Sequence, residues 1–150
     1  VSSPLAVSPI RHLGGTTMPH SIPFTLGALV AALAVYVWAV LKVGQARGKY
    51  GVAAPAVTGA PEFERAFRAQ QNTVEQMVLF VPLLGLSSFV WCDLAAGIYG
   101  LVWCLGRVLY IETYSRGANR SAGFMLSAGV SLGVLIAVIV TFGLRHFGFA

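Results

Sequence analysis

Charge is what this chain has least of: ten Lys and Arg and five Asp and Glu in 150 residues. That is 10% charged, against roughly 25% in an ordinary soluble domain. A soluble domain of this size has too much surface for its volume to hide a composition that is 57% hydrophobic. Lipid is therefore the expected solvent for most of the chain. The few basic residues stand as singles and pairs between apolar segments, without the dense patch of a nucleic-acid binder, so no nucleic-acid partner is expected. The two cysteines, Cys92 and Cys104, lie twelve residues apart on one expected helix. Their Cα atoms would be about 18 Å apart, beyond disulfide reach. The three histidines, His12, His20 and His146, show no metal-ligand spacing, and no metal is expected. Residues 1–22 are rich in Ser, Pro, Gly and Thr and lack the basic segment and apolar core of a secretory leader. They are expected to form a poorly ordered extension.

What remains is apolar and helical. Phe24 to Leu41 is eighteen residues without a charge, and Ser121 to Leu144 is twenty-four; a span needs about 20. Between them, Glu62 runs for twenty residues without Gly or Pro, and Leu94 begins a third apolar stretch after the polar turn at Asp93. The pattern predicts an all-α, four-helix up-down membrane bundle over residues 23–146, with helices near 23–46, 62–91, 94–115 and 121–145. The Gly- and Pro-containing segment from Arg47 to Pro61 is expected to be a loop. Lys42, Arg47, Lys49, Arg65, Arg116 and Arg120 gather at the first and third connections. This excess predicts that those connections are cytosolic and the termini lie on the opposite side.

Two polar stripes interrupt the apolar pattern. In PEFERAFRAQQNTVEQ (Pro61–Gln76), Arg68, Asn72 and Glu75 fall at i, i+4 and i+7 and share a helix face. On the third helix Arg107, Tyr110 and Tyr114 fall at i, i+3 and i+7, at the same expected depth. Ionisable groups in a membrane span are costly, so two matching stripes point to a ligand cleft. A bland alternative has Arg and Tyr snorkelling to the interface. For Glu62, Glu64, Lys49, Glu112 and Arg116 a solvated face is the expectation.

The segment PAVTGAPEFERAFRAQQNTVEQ, with VGQARGKY upstream and GRVLYIETY and RSAGF downstream, resembles the MAPEG family. These are the membrane-associated proteins of eicosanoid and glutathione metabolism, and the likeness is to their microsomal glutathione transferase and leukotriene synthase branch. It covers about Ile22 to Leu144. The resemblance implies a homotrimer with glutathione, a co-substrate, bound in clefts between subunits. It implies that Arg68, Asn72, Glu75, Tyr110 and Tyr114 hold the tripeptide, and that Gln70 and Arg47 reach it from an adjoining subunit. It further implies that Arg120 faces the glutathione sulfur, with Tyr110 the second candidate for that role. In two places the chain departs from the pattern. Gln76 stands where relatives often have an aromatic residue, and Gly48 replaces a larger neighbour of Arg47, which weakens the case for a leukotriene substrate.

The residue chemistry suits that ligand. Guanidinium forks bind carboxylates bidentately, Glu75 suits an ammonium, and a cation beside a thiol favours the nucleophilic thiolate. The expected activity is transfer of glutathione to lipophilic electrophiles drawn from the bilayer, with hydroperoxide reduction by the same thiolate as an extension. The alternative is a non-catalytic, lipid-binding or scaffolding member of the family.

Overall fold

The computed structural model describes residues 22–148. It contains four helices: α1 (Pro23–Tyr50), α2 (Pro61–Val90), α3 (Asp93–Ser115) and α4 (Ser121–His146). Each is long and apolar enough to cross a membrane, and their outer faces expose side chains that water would reject. Phe89 is 94% exposed, Val78 74% and Met125 67%. This is an all-helical, multi-pass membrane protein. The expectation for the N-terminal extension lies outside the described residues, Ile22 excepted.

α1 runs four residues beyond its expected end, so Arg47 and Lys49 sit on its last turn and not in the loop. Gly48 does not stop the helix. Gly51 does: at φ 67° it adopts the left-handed conformation that closes a helix, and Val52 N–H reaches back to the Arg47 carbonyl at 3.1 Å. Tyr50 and Val52 then pack on the buried cluster of Val43, Phe63 and Ala66. α2 begins at Pro61, whose missing N–H costs nothing in a first turn, and continues unbroken through Pro82.

α3 is the axis of the bundle. It packs against the other three helices, whereas α1 and α4 do not meet. Close approach depends on small residues, as is usual where lipid gives no hydrophobic drive between helices. A Cβ on Gly100 would collide with Ala28 of α1, and one on Gly106 would come within 2.7 Å of the Ser127 backbone nitrogen on α4. In the core Phe80 stacks on Trp103 with ring centroids 4.0 Å apart. The Tyr99 and Ser131 hydroxyls pair at 3.1 Å.

Asp93 does more than mark a turn. Its carboxylate accepts the backbone N–H groups of Phe24 and Thr25, at 3.0 and 2.7 Å, and the Thr25 hydroxyl at 2.7 Å. The start of α1 has no side-chain cap of its own. Its free N–H groups and positive dipole end are met from the first residue of α3. At the opposite end Glu112 of α3 bridges Lys42 of α1 and Arg116.

Candidate functional site

At the end of the bundle that carries the α1–α2 and α3–α4 connections, α2 and α3 diverge around a cleft of about 520 Å³, within the usual size of small-molecule sites. One wall is a single stripe of α2: Glu64, Phe67, Arg68, Gln71, Asn72 and Glu75. Their spacing follows the helical repeat, and the stripe is straight because α2 is continuous there. Tyr110 and Tyr114 of α3 form the other wall, Val57 and Thr58 of the α1–α2 connection close one edge, and Arg120, where α4 begins, closes another.

The α3 side is built as a column. The Arg107 guanidinium lies 4.3 Å from the Tyr110 ring centre, and the Tyr110 and Tyr114 rings stack at 5.5 Å. The Arg120 guanidinium lies 4.9 Å from the Tyr114 ring. Two cations thus bracket two aromatic rings, each ring face attracting its cation through the π quadrupole. Tyr110 is buried and Arg107 completely so. Arg107 donates to Asn72 Oδ1 at 3.1 Å and to Thr73 Oγ1 at 2.7 Å, joining the two walls below the cleft.

Both signs of charge occur in the lining. Arg68 and Arg120 supply guanidinium groups, and Glu64 and Glu75 supply carboxylates. Glu64 also accepts the Gly59 N–H at 3.0 Å, which fixes the approach to α2. Glu75 accepts the Asn72 amide at 3.4 Å. Such a lining can hold a zwitterion, with carboxylates on the guanidinium groups and an ammonium on a carboxylate. Among the described residues no group of three or more His, Cys, Asp or Glu could hold a metal ion.

Of the residues expected from the sequence, Arg68, Asn72, Glu75, Tyr110, Tyr114 and Arg120 come together around this one cleft. Arg47 and Gln70 do not line it. Arg47 donates to the carbonyls of Ala56 (2.8 Å) and Val52 (3.4 Å) and lies over the Phe63 ring, clasping its own connection. Gln70, half-buried, is about 200° around α2 from Arg68. Glu64, expected on a solvated face, lines the cleft, as do Phe67 and Gln71. Steps of three or four residues from Arg68 reach Glu64 and Gln71, and a further step back from Gln71 reaches Phe67. No sequence signal pointed to Val57 and Thr58, because a loop has no periodicity to read.

Comparison with known proteins finds related sequences. The sequence model of the MAPEG family matches residues 25–140. An uncharacterized protein of Synechocystis sp. is 42% identical over 117 residues, covering 76% of this chain and 85% of that protein. Human Microsomal glutathione S-transferase 2 is 50% identical over 91 residues, 60% of this chain and 62% of the human protein. Bovine Leukotriene C4 synthase is 35% identical over 107 residues, 71% of each. The match therefore spans less than two thirds of the human relative's length.

Proposed function

The chain belongs to the MAPEG family, and from that premise we propose that it is a membrane glutathione transferase acting on lipophilic electrophiles. The observation that carries this reading is the single cleft in which Arg68, Arg120 and Glu75 meet around a tyrosine wall. Glutathione brings two carboxylates, an ammonium and a thiol: Arg68 suits a carboxylate, Glu75 the ammonium and Arg120 the sulfur, with the Asn72 amide and the tyrosine hydroxyls as neutral donors for the second carboxylate. Two kinds of relative, a microsomal glutathione S-transferase and a leukotriene C4 synthase, support the same chemistry.

Arg68, Asn72, Glu75, Tyr110 and Tyr114 bind the tripeptide in this reading, and Arg120 faces its sulfur. The thiol proton leaves to solvent and the guanidinium holds the thiolate, whose unperturbed pKa is about 8.5. With an aryl chloride the thiolate forms the S–C bond, the C–Cl bond breaks, and chloride departs with the electron pair. With a lipid hydroperoxide, two glutathione thiols supply two electrons, yielding the alcohol, water and glutathione disulfide. Gln70, turned away from its own cleft, is left for a neighbour's in the trimer that the family resemblance implies. Arg47, by contrast, is held on its own connection. The basic excess around the cleft favours a cytosolic opening.

Conjugation of glutathione to a chlorinated dinitrobenzene by the purified protein in detergent is the test. Saturable turnover is expected. Binding of glutathione without turnover on aryl halides, epoxides or hydroperoxides would favour a scaffold, and absence of both would end the transferase reading.

A further inference from the structure

Arg107 presents an unbalanced account of charge. It is 0% exposed, and all five carboxylates of the chain are engaged elsewhere. Glu62 pairs with Arg65, and Glu112 with Lys42 and Arg116. Asp93 caps α1 at the far end, Glu64 holds the Gly59 N–H, and Glu75 takes the Asn72 amide. Among the described residues, then, Arg107 has neutral partners only: Asn72 Oδ1, Thr73 Oγ1 and the face of Tyr110. Its Nε is buried without any partner. A buried guanidinium lacking a counter-ion is a poor way to hold helices together, since apolar groups of similar volume serve as well or better.

Its contacts specify something else. An arginine only donates, so the Asn72 atom facing it must be the oxygen. The amide is thereby fixed with its NH₂ directed to Glu75 and the cleft. Thr73 accepts from Arg107 and donates to the Ala69 carbonyl at 2.8 Å, so its hydroxyl orientation is fixed as well. The same guanidinium lies beneath the Tyr110 ring that walls the cleft.

We infer that Arg107 is a positioning residue: a buried, unpaired cation that sets the Asn72 amide and the Tyr110 ring and leaves the cleft one negative charge short until an anionic ligand enters. This rests on the glutathione reading above. It says that Arg107 serves the liganded state at the expense of the empty one.

Arg107→Met removes the charge while stranding neither partner, because Thr73 keeps its bond to Ala69 and the half-buried Asn72 can turn to water. The expected result, by calorimetry and steady-state kinetics in detergent, is glutathione affinity weakened by about 10- to 30-fold, with KM rising in step and kcat held within about threefold. The melting temperature of the unliganded protein should be unchanged or higher, and stabilisation by glutathione should be reduced. Arg107→Lys restores the charge without the fork and should recover part of the affinity, binding between Met and the wild type. Three results overturn the inference: Met binding as tightly as the wild type, Lys binding as poorly as Met, or a Met variant that is less stable or does not fold. Wild-type protein that binds no glutathione brings down the transferase reading and this inference with it. Wild-type binding that Arg107→Met leaves unchanged brings down this inference alone.

Discussion

Arg107 and Arg120 bracket the same pair of tyrosines, yet their surroundings assign them different work. Arg120 is exposed at the start of α4, where its guanidinium can approach a ligand atom, and Arg107 is sealed beneath. If Arg120 stabilises the thiolate, Arg120→Ala should shift the ultraviolet titration midpoint of bound glutathione upward by about 2 pH units while affinity changes by less than about threefold. Activity at neutral pH would then fall and partly recover in alkali, since the thiolate is the reactive species. An unmoved titration would transfer the role to Tyr110. At this scale the sequence was most informative where periodicity operates. Arg68, Asn72 and Glu75 on α2, and Arg107, Tyr110 and Tyr114 on α3, each share a face because 3.6 residues make a turn. Depth was not legible. Spacing cannot distinguish a guanidinium at a cleft mouth from one completely buried, so Arg107 stood in the stripe without a role. Arg47 likewise carried no local sign that one nitrogen of its guanidinium would bond the carbonyls of its own connection.

Among the elements, α3 and α4 show how backbone proximity shapes the cleft. A Cβ on Gly123 of α4 would strike the Tyr110 backbone nitrogen and approach its Cα at 2.7 Å. The helices can approach this closely only with glycine there, and that contact sets where Tyr110 stands. Gly129, on the same helix, faces open space. Gly123→Ala should therefore cost about 1–3 kcal/mol of unfolding free energy, as overpacking does, and lower glutathione affinity by displacing Tyr110. Gly129→Ala should stay within about 0.5 kcal/mol of the wild type or exceed it, alanine being the better helix former. Equal effects in a denaturant titration of the two variants would remove the packing argument. Helix number and order were readable because four long, predominantly apolar segments have no other stable form in lipid. The end of α1 was misplaced because the Gly- and Pro-containing connection was expected to start at Arg47; the stop is Gly51, whose positive φ no composition reveals. The link from Asp93 to the start of α1 was also hidden, since it joins residues 68 and 69 positions apart.

For the whole molecule the governing feature is polarity along the membrane normal. Lys42, Arg47, Lys49, Arg65, Arg68, Arg107, Arg116 and Arg120 all lie toward the cleft end of the four helices, and among the described residues Arg145 is the one Lys or Arg at the other. The cleft we propose for an anionic ligand and the end that topology signals would hold in the cytosol are therefore the same end. The chain carries its own reporter of this arrangement. Cys92 is exposed at the α2–α3 turn, opposite the cleft, and Cys104 is buried within α3. A membrane-impermeant maleimide should label Cys92 in sealed vesicles whose cytosolic face is inside, and should fail in sealed vesicles of the opposite orientation until detergent is added. A Cys92→Ser variant should remain unlabelled throughout, because Cys104 lies in the core. Labelling of Cys92 only in sealed vesicles of the opposite orientation would place the cleft outside. Glutathione would then have to be supplied from the non-cytosolic compartment, and the basic excess would need a different cause. The expected pattern instead leaves the thiol donor entering from the cytosol and the electrophile from the surrounding lipid, which is the geometry a conjugating site between α2 and α3 requires.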